Sequence, residues 1–237
     1  MFCEMLETRR FLTVTLQPPV AGGSSGDPPA TGAPQYVTVT QSGSGTVHIQ
    51  TTGGSKAVMN VAVSEDNGTL VVTEIQTGAT WDVTNANPAK GINIVGSKND
   101  DTIFYTGNSI GAKIQAGSGN DSIVVADTGT GTGNTLATGS SNIDAGKGDD
   151  SVNLLVGNHT TVGGGDGNDT LFINSGSGIY DVDTGDAIVN GGGGNDVIII
   201  YDGSATVNGG GGSDASLVYT SDGASATQTQ VESTSNA

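Results

Sequence analysis

The chain has little of what a conventional globular core needs. Of its 237 residues only 4 % are aromatic, and the single cysteine, Cys3, rules out an intrachain disulfide. Lysine and arginine total 7 against 24 acidic residues, which gives a net charge of −17. So acidic a chain is a poor partner for nucleic acid or for an anionic membrane. No apolar run is long enough to form a transmembrane helix.

The common catalytic motifs are also missing. No HExxH motif, P-loop or Cys/His zinc pattern occurs. Segments 22–26 and 107–111 match GxSxG, but neither has the strand-to-helix context that a nucleophile elbow requires. Adjacent acids such as Asp149 and Asp150 would point to opposite faces of a strand, which makes them poor acid/base pairs. The sequence therefore predicts a protein without enzymatic activity.

Glycine, by contrast, is abundant, and many of the 40 glycines recur within one short unit. The unit is a glycine-rich loop, an aspartate and a run of apolar residues, as in 164–171 (GGDGNDTL) and 191–198 (GGGGNDVI). Glycine permits positive φ, so the loop can curl and direct several carbonyl oxygens at one point. The aspartate adds a charged oxygen there. Such a cluster suits a hard cation with six to eight oxygen ligands, calcium before magnesium.

Four further segments carry the unit with variations. Alanine replaces the first glycine in 116–123 and 145–152, Ser216 replaces the apolar residue after the loop 209–214, and 96–103 keeps one loop glycine. The predicted metal-binding residues are Asp101, Asp121, Asp150, Asp169, Asp196, Asp214, Gly117, Gly119, Gly146, Gly148, Gly165, Gly167, Gly192, Gly194, Gly210 and Gly212.

Over about residues 94–219 these units resemble the GGxGxDxUx repeat of RTX (hemolysin-type) calcium-binding proteins. The resemblance implies an all-β fold, a parallel β-roll or β-solenoid whose loops bind Ca²⁺. The six aspartates are 20, 29, 19, 27 and 18 residues apart. Since a step near 18 is one two-stranded coil, each coil here carries one such loop where the family usually has two. We expect one calcium-binding edge and one variable edge, with insertions in the two long steps.

Charge repulsion predicts that the roll needs its metal. Strands in a sheet lie about 4.8 Å apart. At an effective dielectric near 20, neighbouring aspartates at that distance would repel by about 3–4 kcal/mol. We therefore expect the roll to be loose without calcium and to fold on binding it.

Composition divides the chain into five segments. Residues 17–35 are a Pro/Gly-rich linker, 36–95 a β-rich N-terminal capping region, 96–219 the calcium-binding roll and 220–237 a polar disordered tail. Residues 1–16 form a possible export segment. Within it, 6–12 (LETRRFL) resembles the LEPR-x-LL segment of exported planctomycete proteins, with Thr8 for the proline and Phe11 for the first leucine.

These observations predict a secreted, extracellular calcium-binding protein. Its role would be structural or adhesive, with a cell-surface or matrix polysaccharide or protein as a possible partner. One alternative is an enzyme that acts on polysaccharides from a solenoid face, although few basic residues lie in the roll. Another is an ice- or surface-binding solenoid, but the threonines do not form a regular ladder.

Overall fold

The structure is a computed structural model. It describes residues 36–42, 44–66, 69–83, 91–107, 111–127, 141–155, 160–174, 186–202, 204–219 and 225–236. The predicted export segment and linker, both GxSxG segments in whole or in part, and most of the two predicted insertions lie outside these ranges.

Nineteen β-strands form within the described ranges, because short runs of Val, Ile and Thr alternate with glycine and polar residues. Their bounds are β1 Val37–Gln41, β2 Thr46–Thr51, β3 Asn60–Asp66, β4 Thr69–Glu74, β5 Thr80–Asp82, β6 Gly91–Val95, β7 Thr102–Gly107, β8 Ala112–Ser118, β9 Ser122–Asp127, β10 Asn142–Lys147, β11 Ser151–Leu155, β12 Thr161–Asp166, β13 Thr170–Asn174, β14 Asp186–Gly193, β15 Val197–Asp202, β16 Ser204–Gly211, β17 Ala215–Val218, β18 Ser225–Thr229 and β19 Ser233–Asn236.

The strands form two sheets, and from β6 onward the chain alternates between them. Sheet A has the spatial order β1-β2-β6-β8-β10-β12-β14-β16-β18. Sheet B has the order β19-β17-β15-β13-β11-β9-β7-β3-β4-β5. All pairings from β6 to the end are parallel. The predicted all-β parallel solenoid is confirmed.

A thin apolar core lies between the two sheets. In sheet A, one inward row is a β-branched ladder in which each residue pairs with the equivalent residue of the next coil. Its members are Ile49, Ile94, Ile114, Ile143, Val162, Val189 and Val207, all at most 1 % exposed. In sheet B the facing row is Ile103, Ile123, Val152, Leu171 and Ile198, also at most 1 % exposed. Neither row could be buried by a single coil, so the stacking of coils creates the core.

The first end of the solenoid is covered by antiparallel strands. β1 pairs with β2 on sheet A, and β3, β4 and β5 form a meander on sheet B. Trp81 of β5 is 6 % exposed and packs into the common core. This is β-structure in the region predicted to be β-rich, and its antiparallel pairing changes the strand direction at the end of the roll.

The C-terminal segment differs from the disordered tail expected from composition. β18 and β19 extend sheets A and B by one more parallel pair each. Ala226 and Val231 pack against the core. Polar strands form here because the preceding coil offers a complete row of backbone donors and acceptors, and those bonds do not depend on apolar side chains.

Helix is nearly absent from the part of the chain that the structure describes. A single 3-10 turn spans Gly54–Lys56. None of the helical structure in these ranges has the length and apolar character that crossing a membrane would require.

Candidate metal-binding edge

The glycine-aspartate loops all lie on one edge of the solenoid. They connect β8 to β9, β10 to β11, β12 to β13, β14 to β15 and β16 to β17, always from sheet A to sheet B. The strand ends that lead back from sheet B to sheet A lie at the other edge. Both long insertions, after β9 and after β13, are return connections. We number the residues of each loop from position 1 to position 6, so that position 6 is the aspartate.

Positions 2 and 4 require glycine for two reasons. Both have positive φ in the five loops from 116–121 to 209–214, from 106° to 137°. They also contact the neighbouring coil: a Cβ on Gly165 would lie less than 3.0 Å from the carbonyl oxygen of Gly146. The ten residues are the predicted glycines Gly117, Gly119, Gly146, Gly148, Gly165, Gly167, Gly192, Gly194, Gly210 and Gly212.

Backbone hydrogen bonds join each loop to the next. The position-4 amides of Gly148 and Gly167 donate to the carbonyl oxygens of Asp166 and Gly193 at 2.8 Å and 2.7 Å. The loops therefore form a continuous stack of carbonyl oxygens along the solenoid axis, one loop per coil.

The position-6 aspartates form a buried ladder. The backbone N–H of each aspartate donates to Oδ1 of the aspartate in the next coil, for example Asp121 to Asp150 at 2.7 Å and Asp150 to Asp169 at 2.9 Å. The pattern continues from Asp169 to Asp196 and from Asp196 to Asp214, each at 2.9 Å. These five side chains are 1–3 % exposed. The fold thus brings together carboxylates that are up to 93 residues apart (214 − 121) in sequence.

The second oxygen of each of these carboxylates is unsatisfied. Oδ2 of all five is buried and has no hydrogen-bond partner within the described ranges. Burial raises the pKa of Asp121 and Asp169 to about 7, and that of Asp150 to about 6. Negative charge on neighbouring aspartates adds to this effect, and the backbone N–H bond opposes it. Burial also raises the pKa of Asp196. A buried charged oxygen without a partner is costly, so the ladder calls for a cation or a proton.

Asp101, the sixth predicted aspartate, is satisfied by its own surroundings. Its Oδ1 accepts from the Met59 backbone N–H at 2.7 Å and from the Ser97 hydroxyl at 2.7 Å. Its Oδ2 accepts from the Ser97 backbone N–H at 2.5 Å. Ser97 stands at position 2, where the other loops have glycine. The first loop therefore closes on its aspartate with protein donors alone.

A second ladder runs along the solvent side of the same loops. The position-5 side chains accept from the position-5 backbone N–H of the following coil, as in Asn168 N–H to Asp149 Oδ1 at 2.8 Å and Asn195 N–H to Asn168 Oδ1 at 2.9 Å. This ladder runs opposite to the inner one, in which each N–H donates to the following coil's side chain. The two ladders hold the loops in register from both sides.

Sequence reasoning missed one member of the inner ladder. The Asp214 N–H donates to Oε2 of Glu232 at 2.6 Å, so Glu232 occupies the place of an aspartate in the next coil. Between the paired residues Asn208/Thr229 and Ala215/Ser233, the last glycine loop has six residues (209–214), whereas the corresponding turn of the next coil has three (230–232). The longer side chain compensates for the shorter loop. Glu232 follows Asp214 by 18 residues, the length of one coil, and this spacing was the sequence signal that could have identified it.

The donor atoms fit a hard cation. The edge offers carboxylate and carbonyl oxygens and no nitrogen or sulfur ligand, which suits calcium rather than a transition metal. Within the described ranges no three side chains of His, Cys, Asp and Glu form a metal-binding group. A cation here would therefore take most of its ligands from loop carbonyls, with Asp121, Asp150, Asp169, Asp196 and Asp214 supplying charge.

Comparisons with protein families, with curated proteins and with solved structures give no match for this chain.

Proposed function

We propose that this protein binds calcium ions along the loop edge and completes its folding on binding them. The observation that carries the proposal is the ladder of five buried carboxylates, each with an unpartnered Oδ2. Unpaired buried charge of this kind destabilises a fold. Divalent cations bound by carboxylate and carbonyl oxygens replace the repulsion between the carboxylates with attraction to the cation. Metal binding would then contribute directly to folding free energy.

The proposal extends to setting and role. The chain would act outside the cell, where calcium is abundant, as a structural or adhesive module without enzymatic activity. The proposed lack of enzymatic activity is supported by the position of the acids, since the ladder carboxylates are inside the roll and bonded to backbone amides. Carboxylates so placed are not open to a polymeric substrate, which leaves the polysaccharide-acting enzyme without a supporting observation at this edge.

The deciding experiment is a calcium titration followed by far-UV circular dichroism. The full chain is first treated with a chelator and then titrated with calcium or, as a control, with magnesium. We expect a cooperative gain of β signal with calcium only, with a midpoint at about 10⁻⁴ to 10⁻³ M, the range of extracellular modules. A spectrum that is already β-rich and unchanged, with no heat of binding by calorimetry, would overturn the proposal.

A further inference from the structure

The loops differ at position 1, and the difference has a structural consequence. Position 1 is glycine at Gly164, Gly191 and Gly209, but alanine at Ala116 and Ala145. In these five loops position 1 is buried and faces the interior of the roll. It is therefore on the same side of the loop as the unpartnered Oδ2 atoms.

Two oxygens converge beside each of these three glycines. A Cβ built on Gly164 would lie less than 3.0 Å from Oδ2 of Asp169 and from the carbonyl oxygen of Gly191 in the next coil. Both oxygens thus lie in the volume that a Cβ would occupy, so their approach to each other requires glycine at position 1. The equivalent sets are Gly191 with Asp196 Oδ2 and the Gly209 carbonyl, and Gly209 with Asp214 Oδ2 and the Gln230 carbonyl.

Alanine at position 1 occupies that volume with a methyl group. Ala116 and Ala145 are both 0 % exposed, so their methyl groups are packed in the interior. A methyl group there keeps the carboxylate oxygen and the next carbonyl oxygen from approaching one point. Asp121 and Asp150 therefore keep an unpartnered oxygen, but a methyl group stands where glycine would let that oxygen meet the next carbonyl oxygen.

The first loop, 96–101, has glycine at position 1 but lacks an unpartnered carboxylate oxygen. Position 1 of this loop is also glycine, Gly96, and Asp101 Oδ2 and the Ala116 carbonyl oxygen converge beside it. Asp101 Oδ2, however, already accepts the Ser97 backbone N–H. A close approach of two oxygens and an unpartnered carboxylate oxygen thus occur together in three of the described loops.

We propose that the roll binds its cations at the three contiguous loops 164–169, 191–196 and 209–214, and that position 1 decides which loops bind. This rests on the proposed function, calcium binding at the loop edge. The third set of oxygens includes the Gln230 carbonyl, so the turn between β18 and β19 would complete that site. The loops at 96–101, 116–121 and 145–150 then have a purely structural role.

Calorimetric titration of the chelator-treated full chain with calcium tests the proposal by stoichiometry. We expect three ions per chain, two in Gly191→Ala and four in Ala145→Gly. Matched controls are Gly193→Ala and Gly211→Ala at position 3 of the same loops. A Cβ at Gly193 finds no atom closer than 3.9 Å, and one at Gly211 finds none within 4 Å. Both controls should keep three ions.

The outcomes separate this inference from the proposed function. Calcium binding with five ions per chain in the wild type and in Gly191→Ala, or three ions in Ala145→Gly, overturns the role of position 1 and leaves calcium binding intact. Absence of calcium binding in the wild type overturns both. Circular dichroism at saturating calcium shows whether Gly191→Ala is folded, and the gain expected in Ala145→Gly does not depend on any loss of structure.

Discussion

At the scale of single residues, the unusual feature is a set of carboxylates buried as if they were apolar. Each ladder aspartate uses one oxygen to satisfy the backbone of the preceding coil and leaves the other without a donor. The first oxygen specifies the register of the stack. The second makes the stack dependent on a cation or a proton.

Replacing Asp169 by asparagine should stabilise the calcium-free protein, whereas most substitutions of buried residues destabilise a fold. The amide keeps an acceptor for the Asp150 N–H and removes the unpaired charge, so we expect stability without calcium to rise by about 1–3 kcal/mol. Stabilisation by calcium should fall at the same time, because one charged ligand is lost. Urea denaturation with chelator and with calcium measures both effects. Asp166→Asn, at an exposed ion pair with Lys147, is the control and should change neither quantity appreciably. A loss of calcium-free stability in Asp169→Asn would contradict this account.

The raised pKa values predict an acid-stabilised calcium-free state. Asp121 and Asp169 have folded pKa values of about 7 against an ordinary 3.8, so between these values the folded chain binds more protons than the unfolded chain. Stability without calcium is then greatest near pH 4 and is lost as pH rises through about 7. Urea midpoints in chelator at pH 5, 6, 7 and 8 should fall in that order. Midpoints that rise with pH would show that the ladder is ionised and satisfied in the absence of metal.

At the scale of elements, the inward row of sheet B that contains Ile198 changes from apolar to polar at β17. Ser216 of β17 follows Ile198 in the inward row of sheet B. It is 3 % exposed, and its hydroxyl oxygen has no hydrogen-bond partner within the described ranges. The predicted irregularity of the last glycine loop is therefore a buried polar group in an otherwise apolar row.

Ser216→Val should stabilise the last coils. The substitution removes an unsatisfied hydroxyl and adds an apolar contact with Ile198, which together should contribute about 1–2 kcal/mol. Urea denaturation at fixed calcium measures the change. Ser122→Val, on the outward face of the same sheet, is the matched control and should have a smaller effect. An equal gain in both variants would mean that β-propensity, rather than burial, is responsible.

At the scale of the whole molecule, the two parts of the solenoid depend on different forces. The N-terminal strands β1 to β5 bury Val, Leu and Trp81 and pair antiparallel. Their buried Glu74 is satisfied by the Tyr36 N–H at 2.8 Å and the Thr77 hydroxyl at 2.6 Å. The coils that follow carry all five unpartnered carboxylates. Coils in a solenoid contact only their neighbours, so the parts can differ in stability.

Calcium removal should therefore open the molecule unevenly. We expect hydrogen exchange in chelator to increase in the coils from β12 to β17, which contain the three proposed cation-binding loops, while residues 36–66 and 69–83 remain protected. Mass spectrometry of peptides from the two parts, with and without calcium, makes the comparison within one sample. Equal loss of protection in both parts would indicate a single cooperative unit instead.

The sequence by itself determined the repeat, the sheet edge on which the loops lie and the glycines at positions 2 and 4. These follow from local rules: the 18-residue step fixes the coil, and positive φ selects glycine. The sequence also set the loop of Asp101 apart, since it keeps one glycine. Tertiary structure added the physical reason, which is that the Ser97 and Met59 donors satisfy its carboxylate. It also placed Glu232 in the ladder and made strands of the polar tail, since backbone pairing with a preceding coil is independent of side-chain polarity. The surroundings of position 1 are likewise decided by contacts between neighbouring coils. The oxygens that converge beside Gly164 belong to Asp169 and Gly191, which are 5 and 27 residues away in sequence (169 − 164 and 191 − 164).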